Sequence, residues 1–325
     1  MTRTPPRFVV GTGRCGSTLL SLMLAEHRRV ASIHECFTGL DGRRFADGAI
    51  AAPDVVGLLS SEQSVTTKVI ALGHTSDEIQ YPFDSPTARH RRGAPLPWLL
   101  VTMLSRLSAD PDALYEEMLA FAATQPTQPM AAHWEALFAW LAAGRGRTEW
   151  VERSGSSIDY VDDLARLWPD ARFVHIHRDG PEAALSIRSH PFFRLALAIV
   201  FDLFPKDDDL TEYDLVRHVV DTAPPAWCAG RFWSDQVLHG YRAVARLDRD
   251  QWLDVRFEDL VARPADELAR IAAFFDLPAD DGFPARGAAL VGEAPPPRIP
   301  SLTDEERHEL RRECRPGMVL LGRAS

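Results

Sequence analysis

The chain has 325 residues, 46% hydrophobic and 25% charged, an ordinary globular composition that excludes collagen-like, low-complexity and wholly disordered chains. Its four cysteines, Cys15, Cys36, Cys228 and Cys314, form no CxxC pair and no regular spacing, which argues for reduced thiols and against a disulfide framework or a zinc site. A formal net charge of -10 argues against nucleic acid as a partner, because phosphate contacts need a basic face.

In chain order, Phe8 to Gly11 reads as a short apolar strand ending in glycine. Ser17 to Glu26, with Leu19, Leu20, Leu22, Met23 and Leu24, reads as a buried helix. Val30 to Ile33 makes only a poor strand. Further strands are expected at Thr67 to Leu72, Glu149 to Glu152, Phe173 to His177 and Trp252 to Arg256. Helices are expected at Asp112 to Thr124, Met130 to Ala143, Ile158 to Trp168, Pro181 to Ser189, Leu210 to Asp221, Trp227 to Leu247, Pro264 to Phe275 and Thr303 to Arg312. Pro181 suits a first helical position, and Thr303 with Glu306 makes a capping box. Strands alternating with helices imply an α/β protein with a parallel sheet. The Pro-rich stretches Tyr81 to Pro97 and Pro295 to Pro300 read as surface connections, the basic run Arg89 to Arg92 as a solvated loop, and Trp98 to Leu107 as an exposed apolar helix face.

The longest apolar run, Leu195 to Phe204, is broken by Asp202 and falls short of the roughly 18 to 20 residues of a membrane helix. The opening MTRTPPRFVVGTG lacks the apolar stretch of a signal peptide, so a cytoplasmic location and no membrane span are expected. Of the 36 basic residues only Lys68 and Lys206 are lysine. Arginine stays protonated at any working pH, so cationic work here is electrostatic clamping rather than amine chemistry.

The segment VVGTGRCGSTLL puts Gly11, Gly13 and Gly16 between a strand and a helix, where backbone amides and the helix dipole favour a phosphate-like anion. Three readings compete. Gly11, Gly13 and Gly16 match the dinucleotide fingerprint, with Glu35 about 20 residues on. Gly11 and Gly16 followed by Ser17 and Thr18 also suggest an NTPase loop, but Ser17 stands where that motif needs lysine. The third reading uses Arg14: Arg14-Cys15-Gly16-Ser17-Thr18 resembles the 5′-phosphosulfate loop of the sulfotransferases that use 3′-phosphoadenosine 5′-phosphosulfate (PAPS), with Cys15 replacing the usual serine.

That family resemblance extends to ARFVHIHRDGPEAALSIRSH, where Arg178 follows a strand and Ser186 lies eight residues later on a helix, the pair that the family sets on the 3′-phosphate. WVERSG at 150–155, VRFEDLVARPADELARIAAFFDLP at 255–278 and the tail from Leu302 follow in family order. The resemblance implies a P-loop NTPase-like sulfotransferase architecture: a central parallel sheet flanked by helices, one domain over 1–325, and a helical acceptor-side insertion at about 73–147. It implies a donor site of Gly13, Arg14, Cys15, Gly16, Ser17, Thr18, Arg178 and Ser186, with PAPS as donor, PAP as product and no metal. The catalytic candidates are Arg14 on the sulfuryl group, Glu35 as base with His34 as rival, and Arg153 on the leaving phosphate unless it pairs with Glu152 or Glu149. Adjacent residues on an extended segment point opposite ways, so only one of His34 and Glu35 is expected to face the site. The acceptor is expected to be the hydroxyl of a small metabolite, sugar or glycolipid. A kinase or NAD-binding enzyme on the same loop, or a PAPS/PAP-binding protein without transfer activity, remain the alternatives. His175 and His177, two apart on one strand, read as packing residues rather than metal ligands, and Arg256 with Glu258 as ties between the last strand and the sheet.

Overall fold

Four consecutive buried residues, Arg7–Val10, form strand β1, and the absence of alternation marks a strand covered on both faces. The computed structural model describes residues 4–207, 209–293 and 296–323. The remaining strands are β2 (Val30–His34), the two-residue β3 (Ala49–Ile50) and β4 (Gln128–Pro129), β5 (Glu149–Arg153), β6 (Arg172–His177) and β7 (Trp252–Arg256). The helices are α1 (Ser17–Ala25), α2 (Ala52–Leu59), α3 (Ser64–Ala71), α4 (Ser105–Leu107), α5 (Pro111–Ala123), α6 (Met130–Ala143), α7 (Val161–Leu167) and α8 (Gly180–Ser189). They continue with α9 (Pro191–Phe201), α10 (Glu212–Asp221), α11 (Ala226–Val244), α12 (Phe257–Ala262), α13 (Pro264–Phe274), α14 (Phe283–Ala288) and α15 (Asp304–Leu320).

The chain forms two compact units. The first comprises Met1–Ser60, Ala113–Arg178 and His239–Pro295. It holds a five-stranded sheet of order β2-β5-β1-β6-β7, parallel throughout, so the expected central parallel sheet with flanking helices is present. The helix α1 packs through Leu20, Met23 and Leu24, at the spacing of one helical face, into a core with Val9, Val174, Ile176, Leu260 and Ile271. On β1, Phe8 sits 5.2 Å from Trp168 and 5.7 Å from Phe173 between ring centroids. β3 and β4 make a separate antiparallel ribbon.

The second unit comprises Ser61–Asp112, Asp179–Leu238 and Pro296–Ser325. Here Thr67 to Leu72, expected as a strand, is the last part of α3 with Leu72 as its C-cap. Its buried Thr66, Val69 and Ile70 recur at three and four residues, which fits a helix, and Val69 joins Leu195, Ala198, Val216 and Val219 in one cluster. The segment Trp98–Leu107 is not exposed: Leu99, Leu100, Val101, Met103 and Leu104 have no accessible surface. Nor is Tyr81 to Pro97 wholly a surface connection, since Tyr81, Phe83 and Leu96 are buried and the Tyr81 hydroxyl donates to Asp112 at 2.7 Å. Of Pro295 to Pro300, Pro295 lies outside the described residues, and the stretch that follows is largely exposed.

The capping box at Thr303 and Glu306 starts α15 as expected. The helix runs past Arg312 to Leu320 and carries Pro316 inside it. Burial of Cys314 and Gly317 and a bond from the Gly317 amide to Ser234 Oγ at 2.9 Å hold the extension. Among the described residues no single helix is long and apolar enough to cross a bilayer; α8 and α9 reach that measure only as a pair bent by 100°.

Candidate active site

The loop from Gly11 to Gly16 leaves the end of β1 and enters α1 through backbone that side chains resist. Gly13, Arg14 and Gly16 have φ of 77°, 52° and 96°; for Arg14 this left-handed conformation costs about 1–2 kcal/mol. The Gly11 carbonyl accepts from the Ile158 amide at 3.2 Å, and the Thr12 carbonyl accepts from Ser156 Oγ at 3.4 Å. The first turn of α1 has no acidic residue, and its N-cap, Gly16, supplies no side-chain acceptor. Its leading amides and the positive end of its dipole therefore suit an anion. Arg14 and Thr18 are half-buried at this turn, and Ser17 is buried. The Cys15 side chain points into the sheet core, where burial pushes its thiol up, so only its backbone is available to a ligand.

At the end of β5, Arg153 is 1% exposed and makes three contacts across the site. Its Nη1 donates to Glu35 Oε1, its Nη2 donates to Thr18 Oγ1 at 3.1 Å, and the same nitrogen lies 3.3 Å from His34 Nδ1. The second Glu35 oxygen accepts from the Gly155 amide at 2.9 Å. One guanidinium thus joins the first turn of α1 to a carboxylate from the segment after β2. His34 is held from behind by Ser21, whose Oγ lies 3.2 Å from Nε2 and 2.7 Å from Ser32 Oγ. Glu149, one of the expected alternatives for Arg153, pairs instead with Arg7 at 2.7 Å.

Beyond β6, the Arg178 guanidinium lies over the Phe257 ring, 5.3 Å from its centroid, within cation–π range. The same ring faces Gly16: a Cβ there would meet Phe257 Cδ2 at 2.1 Å. Phe257 therefore touches both the loop and Arg178. The sequence reading passed it over; its only signal is an aromatic residue directly after the last strand.

A family model described as "Sulfotransferase family" matches residues 87–281. The chain belongs to the sulfotransferase family. No curated protein matches it. Among solved structures it is similar to the sulfotransferase domain from the curacin biosynthetic pathway, at 14% identity and a TM-score of 0.51, covering 99% of each chain. A sulfotransferase from Mycobacterium avium aligns at 17% identity and a TM-score of 0.47, over 97% of this chain and 76% of that one. The sulfotransferase architecture expected from the sequence is thus present. The family match contains Arg153, Arg178 and Ser186 and begins after Glu35, so the loop and Glu35 rest on the geometry above.

Within this sulfotransferase fold, the expectation that only one of His34 and Glu35 faces inward does not hold. β2 ends at His34, and Glu35 adopts φ 53°, so the alternation of an extended strand stops between them and both reach Arg153. Val30 to Ile33, judged a poor strand, belongs to β2 and is buried throughout. That removes one objection to the dinucleotide reading but introduces a stronger one. A dinucleotide fold places its second strand beside the first, whereas here β5 lies between β1 and β2. In the second unit, Ser186 is buried on α8. His175 and His177 pack as expected, with rings 5.2 Å apart, and His175 Nδ1 lies 2.8 Å from Asp254 Oδ1. The Arg256 and Glu258 side chains are exposed.

Proposed function

We propose that the protein transfers the sulfuryl group of PAPS to a hydroxyl of a small metabolite, sugar or glycolipid and releases PAP. The observation that carries this reading is the buried Arg153, which binds Thr18 in the anion-accepting turn and Glu35 beside it. A cation shared by a phosphate-type loop and a carboxylate suits a reaction in which negative charge grows on a leaving phosphate while a hydroxyl proton departs.

In this reading the amides from Gly13 to Thr18 surround the 5′-phosphosulfate, with the Ser17 and Thr18 hydroxyls as added donors. Arg14 and Arg153 stabilise charge on the sulfuryl oxygens and on the bridging oxygen. The acceptor oxygen forms its bond to sulfur as the bond from sulfur to the phosphate oxygen breaks; the hydroxyl proton passes to Glu35 and PAP keeps the bridging oxygen. The left-handed loop and the acid-free turn of α1 fit such a dianion. Arg178 takes the 3′-phosphate, with Ser186 as the hydroxyl that sequence spacing pairs with it.

Calorimetric titration with PAP beside 5′-AMP, NADH and ATP with Mg2+ tests the donor. PAP is expected to bind and 5′-AMP to bind far more weakly. Arg178→Ala is expected to weaken PAP by about 10- to 100-fold, the loss of charge-assisted bonds worth ~1.5–3 kcal/mol, and to leave 5′-AMP unchanged. Binding of NADH or Mg-ATP without binding of PAP would overturn the reading.

A further inference from the structure

Glu152, the residue before Arg153, has no accessible surface and lies in the middle of the sheet, in register with Phe8 of β1 and Ile33 of β2. The mechanism above does not use it. Its Oε1 accepts from the Ser154 hydroxyl at 2.5 Å, and that hydroxyl accepts in turn from the Phe37 amide at 2.8 Å. The Glu35 amide donates to the Arg153 carbonyl at 2.8 Å. The amides of Glu35 and Phe37 after β2 are therefore held by Arg153 and Ser154 at the β5 end. They hold the chain where Glu35 must adopt a conformation that non-glycine residues avoid.

We propose that Glu152 is a positioning residue for the catalytic carboxylate: through Ser154, which holds the Phe37 amide, it imposes the left-handed turn at Glu35 and so aims the Glu35 side chain at Arg153 and the Gly155 amide. The proposal rests on the reading of Glu35 as the base. The charged and titratable groups that face Glu152 are Glu35 and Cys36 from the segment after β2, Arg153 from β5 and Tyr160 from the turn before α7. Burial, with Glu35 adding to it, pushes the Glu152 carboxyl up to about 8 against the pull of Ser154 and Arg153.

The test compares Glu152→Ala, Glu152→Gln, Ser154→Ala and Glu35→Gln, each as the full chain. Crystal structures of the Glu152→Ala and Ser154→Ala variants are expected to show Glu35 out of the left-handed conformation and its bond to Arg153 broken. Retention of both in either variant overturns the proposal, whatever the activity. With PAPS and 2-naphthol as the probe acceptor, Glu152→Ala is expected to lower kcat by about 10- to 100-fold, the usual effect of a misplaced reacting group, with acceptor KM and PAP affinity unchanged. Glu152→Gln, which keeps an oxygen to accept from the Ser154 hydroxyl, is expected to restore kcat. A lowered melting temperature with an unchanged kcat in Glu152→Ala would mean a structural role only and overturn the proposal. Full turnover by Glu35→Gln would sink the base reading itself, while the crystallographic arm still reports on the turn.

Discussion

Glu35→Gln is expected to lower kcat for sulfuryl transfer by about 10^2- to 10^4-fold, the range in which a general base contributes, while PAP affinity stays within about threefold. Glutamine keeps the volume and can still accept from the Gly155 amide, so the turn after β2 retains its bond at 2.9 Å. It cannot take the acceptor proton, and it leaves the Arg153 guanidinium, 1% exposed, without its counter-charge. Removing one partner of a buried ion pair costs about 3–5 kcal/mol, so the melting temperature is expected to fall as well. Assays well below that temperature, with PAP titrated in parallel, separate lost chemistry from lost fold. A variant that binds PAP and keeps kcat within tenfold of the parent would remove Glu35 from the mechanism and leave His34, which touches the same guanidinium, as the candidate.

The second large effect is expected at Gly16. Its φ of 96° already disfavours any side chain, and an added Cβ would meet the Phe257 ring at 2.1 and 2.6 Å. Neither the loop nor the ring can yield cheaply, because the ring also carries Arg178. Gly16→Ala is therefore expected to destabilise the fold by about 2–4 kcal/mol, combining backbone strain with overpacking. PAP affinity is expected to fall by at least about 100-fold, a loss of more than ~2.7 kcal/mol. Gly48→Ala is the control: φ there is 81° with nothing within 4 Å, so strain acts alone and PAP binding is expected to be unchanged. Denaturant unfolding and calorimetry read both quantities. Equal losses in the two variants would show that the ring contact contributes nothing.

What the sequence made legible was whatever short-range chemistry writes locally. Apolar β1, the three glycines and the Leu-rich α1 announce a strand, an anion loop and a helix within some twenty positions, and Thr303 with Glu306 marks the start of α15. The β-branched Val69 misled, because its burial comes from helices far away in sequence and not from a sheet. β2 was underrated since Ala31, Ser32 and His34 carry little strand preference; pairing with β5 along its whole length decides it. The site was legible as residue types and illegible as partners. Arg153 and Glu35 are 118 positions apart, and nothing local to SIHECF announces that Glu35 leaves the extended conformation. Phe257 shows the same limit: its importance lies in the two things it touches, which only the folded chain brings together.

The place of β1 at the centre of the sheet also governs how the protein is made. β1 precedes every other strand of its sheet in the chain, yet pairs with β5 and β6 and so waits for both. Its Arg7 waits longer still, since Nε donates to the Phe275 carbonyl, 268 residues further along, at 2.7 Å. Contacts of such separation make folding slow and leave apolar strands uncovered in the interval. Nascent chains released before residue 275 lack the partner of Arg7 and the Phe275 and Phe283 rings of the core around Val9, so aggregation during synthesis, more than weakness of the finished fold, is the hazard this topology creates.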